Sequence, residues 1–369
     1  MVAAAILIAL LACLGCVAYW RTQAQAAATA AASPNIPVSV RPPAAAPAVP
    51  FPDHAQLEAV SGTVAERLWK LAFGASSPSQ AIAPEHVRVR DTIVAVLRAD
   101  TLDPQYFPRR PTLMPQLMRA VNDPHAAPDK VSRIIAQDPV LTADVLRLAN
   151  SSFYRMTPAP VETIQRAVVI CGVDGLQALM AAALLQPVFR ATDSNFPRFP
   201  RLLWERTERT SRAAELYAMR TRREDRFEAQ LIALLSALGP LVVYRAALDV
   251  YSRTPGIAPS PALCVALIGA LGAQMSQRIA AHWQTSPRLV AALAPGAEDA
   301  LTTALHVGEL LGTVSLLESQ QAISPEESRG FAASAGLSEG LITHLRQRLG
   351  GDAAAAGTEA AGRAPAANG

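Results

Sequence analysis

Residues 131–179 read VSRIIAQDPVLTADVLRLANSSFYRMTPAPVETIQRAVVICGVDGLQAL, and their punctuation predicts three short helices. Val131, Ile134 and Ile135 form one apolar stripe, and Asp138-Pro139 then restarts the chain. An Asp accepts hydrogen bonds from the free amides of a new helix, and Pro suits a first helical position that needs no amide donor. The helix after it places Leu141, Val145 and Leu148 on one face, at spacings of four and three. Asn150-Ser151 ends it. Thr163 opens a third helix with Ile164, Ala167 and Val168 inward, and Gly172 stops it, as a residue free to adopt positive φ should.

The set Asp138-Pro139, Leu141-Thr142, Leu146, Asn150-Ser151, Ala167 and Gly172 resembles the opening half of the HDOD family. That family is a relative of the HD phosphohydrolases that has lost the metal-binding His and Asp residues and occurs in bacterial signalling proteins. The resemblance covers roughly residues 106–300 and implies an all-α, HD-like multi-helix bundle.

Composition agrees with that class. Half of the 369 residues are hydrophobic, aromatics are few and Ala and Leu abound, which favours helices over sheet. A net charge of +3 is too small to argue for nucleic acid. Lys70 and Lys130 are the only lysines beside many arginines, a bias we assign to genome base composition. Sustained strand-like alternation is missing, as are a phosphate-binding Gly-rich loop, a nucleophile elbow and a dinucleotide fingerprint.

Residues 1–20, MVAAAILIALLACLGCVAYW, carry no charge. As a helix they measure about 30 Å, the thickness of a bilayer's hydrocarbon core. Tyr19 and Trp20 sit where an interfacial belt would lie, and Arg21 follows, so the expected topology is a single inner-membrane span with the bulk of the chain cytoplasmic. The small residues after Arg21 leave a cleaved signal open, and Leu11-Ala12-Cys13 leaves open an exported lipoprotein. Cys13 and Cys16 make a C-x-x-C that is read inside a span as two small apolar residues. Cys171 and Cys264 read as buried thiols of a reduced compartment.

Residues 21–52 are an Ala- and Pro-rich linker, unable to bury enough apolar surface to offset ordering. Residues 53–105 read as a helical extension with Leu57, Val60, Val64, Leu68 and Leu71 in register; it either packs on the main domain or dimerises. Ser260-Pro261 opens a helix with Leu263, Leu267, Leu271, Met275, Ile279 and Trp283 every four residues. Gly269 and Gly272 are expected to admit another helix. Residues 301–350 supply C-terminal helices, with a capping box at Ser324 and Glu327. Residues 351–369 read as a disordered tail.

In the metal-dependent relatives a Trp is followed two residues later by His. Here Trp204 is followed by Arg206. The family's later His-Asp pair falls at Ser236-Ala237, ahead of Gly239. Ser and Ala cannot hold an ion and acidify its water. The six histidines (His54, His86, His125, His282, His306 and His344) fall singly; His306 is the best stray candidate and reads as a filler. The expectation is no catalytic residue, no metal and no cofactor, with a degenerate HD-type phosphohydrolase as the alternative.

Nine arginines against five acids between Arg198 and Arg226 invite an anion or partner patch at Arg220, Arg222, Arg223 and Arg226. Spacing pairs Glu205 with Arg209 and Glu208 with Arg212 on a solvated face, and no aromatic platform suggests single-stranded nucleic acid. Asp138, Pro139, Asn150, Ser151, Gly172, Trp204 and Gly239 are the family-signature positions, structural or partner-contacting. The resemblance implies regulation by protein contact, often beside cyclic-dinucleotide or two-component signalling proteins, with self-association open.

Overall fold

A computed structural model describes residues 52–74, 82–101, 105–108, 111–121, 128–151, 154, 159–185, 188, 195–347 and 349. The expected span at 1–20, the linker (Pro52 apart) and the tail lie outside the described residues. Among those residues all regular structure is helical, with no strand.

The helices, in chain order, are α1 His54–Phe73, α2 Pro84–Arg98, α3 Met114–Val121, α4 Pro128–Ile135, α5 Pro139–Ala149, α6 Ile164–Leu185, α7 Arg198–Thr221, α8 Arg226–Ser236, α9 Leu238–Ser252, α10 Pro261–His282, α11 Pro287–Ala292, α12 Ala300–Ser319 and α13 Pro325–Ser334. A last helical stretch covers 339–347.

The signature stretch folds as its residues dictate. Asp138 Oδ1 accepts from the amides of Val140 (2.8 Å) and Leu141 (3.2 Å), capping α5. Asn150 ends that helix and also ties down the next connection. Its Oδ1 accepts from the Val161 amide at 2.7 Å, and its Nδ2 donates to the carbonyls of Val161 (2.7 Å) and Leu146 (2.8 Å). Thr163 Oγ1 accepts from the Arg166 amide at 3.1 Å, opening α6. At Gly172, φ is +71°, and α6 bends by 113° between its two halves. A left-handed φ is strained for any side-chain-bearing residue, so this sharp corner calls for glycine.

The core is built mainly from α7, α8, α9, α10 and α12. All six residues of the four-residue stripe from Leu263 to Trp283 are buried. Two of the helix pairs approach closely enough to exclude side chains. A Cβ on Gly239 would stand 1.9 Å from the Gly272 carbonyl oxygen, and the Gly239 amide donates to Ser276 Oγ at 2.9 Å. Between α7 and α12, a Cβ on Gly308 would lie 2.7 Å from the Thr210 carbonyl oxygen, and one on Gly312 would lie 2.5 Å from the Thr210 nitrogen.

Helix α1 is bound into this bundle. Phe73 stacks on Phe199 at 4.7 Å and meets Phe196 edge-on at 4.9 Å. His54 Nε2 pairs with Thr303 Oγ1 at 2.8 Å, and Ser61 Oγ donates to the His306 carbonyl at 3.1 Å. Helix α2 is held by His86 against the Tyr251 hydroxyl (2.9 Å). The segment before α3 is pinned by Trp283, whose indole donates to the Pro108 carbonyl at 3.1 Å.

Three helical segments, Arg226–Ser252, Pro261–His282 and Ala300–Ser319, are long and apolar enough to cross a membrane. Within the bundle, 83%, 50% and 78% of their apolar windows are buried, so much of that surface already packs against neighbouring helices.

Candidate functional site

A cavity of about 800 Å³ opens between α1, α7, α10 and α12, with the ends of α8 and α11 at its sides. That volume lies within the range of small-molecule sites. At its polar end sits Arg206, only 4% exposed. Its Nη2 lies 3.1 Å from Glu309 Oε1, and its Nε donates to Thr313 Oγ1 at 3.0 Å. The guanidinium also stands over the Trp69 ring, 5.3 Å from the centroid. Ser236 Oγ reaches the same Glu309 oxygen at 3.5 Å while donating to the Ala233 carbonyl at 3.0 Å. Ser276 Oγ donates to the Ser236 carbonyl at 2.6 Å.

Two positions expected from the sequence to have lost metal ligands, Arg206 and Ser236, are 30 residues apart in the chain. The fold brings both onto one carboxylate, Glu309. A buried charge is tolerated only when paired and hydrogen-bonded, and Arg206 meets both conditions through Glu309 and Thr313. A permanently charged guanidinium in that place repels a divalent cation and occupies the carboxylate oxygen the ion would need. Among the described residues no group of three or more His, Cys, Asp or Glu side chains is placed to hold a metal ion. The donor set of the described residues does not fit a hydrolytic metal.

His306 lines the cavity, and its Nδ1 is buried without a hydrogen-bond partner. Glu66 and Lys70, also lining it, pair with each other at 2.5 Å. Glu309 lies outside the stretch that carries the resemblance, and nothing in its local sequence announces a role.

The signature residues do other work. Asp138, Pro139, Asn150, Ser151 and Gly172 shape α5, α6 and their junction, and Gly239 seats α9 on α10. Trp204 is half-buried and hydrogen-bonds to the carboxylate of Glu208. None of them lines the cavity.

The expected arginine pairings need correction. Glu205 takes Arg201 at 2.8 Å, not Arg209. Arg209 crosses to α12, donating to the Ser315 carbonyl at 2.7 Å and to its hydroxyl at 3.0 Å. Arg212 takes Glu215 at 2.7 Å, not Glu208. Burial explains Arg209, which is drawn across to α12; Glu205 and Arg212 still pair within α7, but with Arg201 four residues before and Glu215 three residues after. Glu208 is pushed up to about 7, chiefly by burial and only partly offset by the Trp204 hydrogen bond.

In the arginine patch, Arg226 pairs with the buried Glu215 at 2.8 Å. Arg288 binds both Glu224 and, at 2.5 Å, Glu228. Asp225 caps α8 through the amides of Phe227 and Glu228, both at 2.9 Å. Arg220, Arg222 and Arg223 are exposed, and Arg222 ends α7 at φ +54°.

The family model described as HDOD domain matches residues 107–297, just over half of the chain. A crystal structure of an HDOD domain protein of unknown function from Geobacter sulfurreducens superposes with a TM-score of 0.50 at 19% identity, covering 72% of this chain and 95% of that one. A protein from Shewanella amazonensis SB2B, whose name proposes a metal-dependent phosphohydrolase, gives 0.50 at 15% identity, covering 73% and 100%. An uncharacterized protein of Treponema pallidum is 28% identical over 134 residues, 36% of this chain and 25% of that protein. This chain thus matches about a quarter of the length of that relative. The two structural likenesses establish the fold.

Proposed function

The chain belongs to the HDOD family, and on that premise we propose that it is a non-catalytic signal-transduction module acting through protein contact. Residues 1–20 would hold it at the inner face of a bacterial membrane. The observation that supports the reading is the closed Arg206–Glu309 pair at the point where Arg206 and Ser236 converge. An ion pair between side chains supplies neither a Lewis acid nor an activated water, the two things a phosphoester hydrolase of this ancestry needs.

Contact surfaces are available on the signature helices. Val140, directly after Asp138-Pro139, is 67% exposed, and Val169, three residues before Gly172, is 83% exposed. Exposed Met219 adjoins Arg220. Apolar side chains offered beside exposed arginines suit a protein partner better than a free nucleotide, which would want a concave anion site. Signalling proteins, including those of cyclic-dinucleotide and two-component systems, are the partner class this reading proposes.

The test is turnover by the full chain in detergent against p-nitrophenyl phosphate and bis(p-nitrophenyl) phosphate, with Mg²⁺, Mn²⁺ or Fe²⁺ supplied. No release of nitrophenol above the protein-free rate is expected. Metal-dependent release that disappears in Glu309→Gln would overturn the reading.

A further inference from the structure

Arg209 uses one nitrogen of its guanidinium to hold the fold together. Nη1 donates to the Ser315 carbonyl at 2.7 Å and to its hydroxyl at 3.0 Å, joining α7 to α12. Nε and Nη2 carry the other N–H donors of the rigid fork, and nothing among the described residues accepts from them. Neither nitrogen is sealed from solvent. No carboxylate of the described residues pairs with Arg209: Glu205 is held by Arg201 at 2.8 Å. Glu208, raised to about 7, carries only part of a charge at neutral pH. Burial pulls the Arg209 guanidinium below its ordinary pKa, against the opposing pull of those two carboxyls. A cation withdrawn from water in this way is stabilised by a bound anion.

Arg209 lines a pocket of about 320 Å³ between α7, α12, α13 and the last helical stretch. The rest of the lining falls between Leu311 and Leu349, beyond the residues matched by the family model. The second cation there, Arg346, is already engaged. Its Nη2 holds both oxygens of Glu318, at 2.9 and 2.7 Å, and its Nη1 donates to Ser328 Oγ at 2.6 Å. Glu318 is thereby neutralised and does not cancel Arg209. Two cations against one carboxylate leave the lining with an excess of one positive charge. Ser315 and Ser328 each accept from an arginine, so each keeps its own hydroxyl proton to give. Buried Leu311, Val314 and Leu349 add an apolar wall.

We propose that this pocket binds a small organic carboxylate with a short apolar body. The two carboxylate oxygens accept in parallel from Arg209 Nε and Nη2, the Ser315 hydroxyl gives a further bond, and the body lies against Leu311, Val314 and Leu349. Paired guanidinium–carboxylate bonds are among the stronger hydrogen bonds in proteins. One uncompensated positive charge matches a monoanion, whereas a phosphate monoester, at about −1.5 to −2, would stay partly unneutralised. An amine would meet like charge. The volume sits at the small end of the range for ligand sites. This goes beyond the signalling reading and does not depend on it, because binding is measured whether or not a protein partner is found.

The test uses the full chain in detergent at fixed ionic strength, with matched probes: benzoate and 3-methylbutanoate against benzylamine, 3-methylbutylamine and phenyl phosphate. Thermal unfolding is followed as each probe is titrated to millimolar concentration. A saturable rise in Tm with at least one carboxylate, none with its matched amine, and a weaker response to phenyl phosphate than to benzoate are expected. Arg209→Lys keeps the charge but loses the fork, and carboxylate affinity should fall at least tenfold. Ser319→Trp, at an exposed position lining the same pocket, should leave unfolding of the free protein unchanged and also lower carboxylate affinity at least tenfold. Equal response to acid and amine, no response to either acid, tighter binding of phenyl phosphate than of benzoate, or undiminished carboxylate binding in Ser319→Trp would each overturn the proposal. Because Arg209→Lys also loosens the tie to Ser315 and could destabilise the fold, the Ser319→Trp result decides.

Discussion

Glu208→Gln should convert a pH-dependent stability into a flatter one. The carboxyl is raised from 4.5 to about 7, with burial the largest cause, the Trp204 hydrogen bond and Arg209 opposing it, and Glu205 adding to it. A group held above its unfolded value binds its proton more tightly in the folded protein. Folding is unperturbed by it below about pH 4.5, loses stability as pH rises between 4.5 and 7, and carries the full penalty above 7. At 1.36 kcal/mol per unit the shift corresponds to about 3 kcal/mol, and partial exposure discounts it to about 2 kcal/mol. Glutamine keeps the acceptor for Trp204 and removes the charge. Denaturant unfolding at pH 5 and pH 8 should therefore show the native chain losing about 1.5 kcal/mol more than Glu208→Gln across that interval, the remainder being lost already below pH 5. Parallel curves for the two proteins would refute the reasoning, because the penalty would then not reside in this carboxyl.

Gly239→Ala should destabilise by about 3 kcal/mol or more, since its Cβ would sit 1.9 Å from the Gly272 oxygen and α9 and α10 would have to part; an unchanged denaturation midpoint would contradict that contact. Asn150→Ala strips partners from both the amide and the carbonyl of Val161 and should cost about 2 kcal/mol in the same assay. Asp138→Ala, by comparison, should cost only about 1 kcal/mol, as a cap whose amides are partly reachable by water. Charge reversal at Arg222 and Arg223 should leave Tm within a degree or so, both being exposed, while weakening capture of the signalling partner; retained capture would move the contact surface elsewhere.

The parts of the fold that rest on short-range chemistry were legible in the sequence. Asp138 before Pro139, Thr163 three residues ahead of Arg166, Ser324 three ahead of Glu327, and Gly172 at a corner each act within one helical turn. Their geometry follows from residue type, and the capping box at Ser324 is complete. The long stripe on α10 was legible because burial has the helix's own period. Glu309 was not, because its meaning arises only when α12 is laid along α7. The Gly308-x-x-x-Gly312 spacing was the available signal that α12 packs closely on another helix, yet it names neither the partner nor the carboxylate between them. The pairs assigned to Glu205 and Glu208 failed for a related reason. Helical spacing allows each charge several partners three or four residues either way; once Arg209 bonds across to Ser315, Glu205 takes Arg201 behind it and Arg212 takes Glu215 ahead of it. Gly269 and Gly272 looked alike, but only Gly272 meets a helix, through Pro240 at 3.5 Å. Spacing cannot distinguish a glycine that admits a neighbour from one that faces open space, as the exposed Gly269 does.

The proposed non-catalytic role rests on the Arg206–Glu309 ion pair. The measurement that bears on this most directly is elemental analysis of the full chain, expressed with iron, manganese and zinc available and purified without chelator. The predicted result is well under one equivalent of any of the three per chain, unchanged in Glu309→Gln. One equivalent of metal per chain, lost in Glu309→Gln, would contradict it.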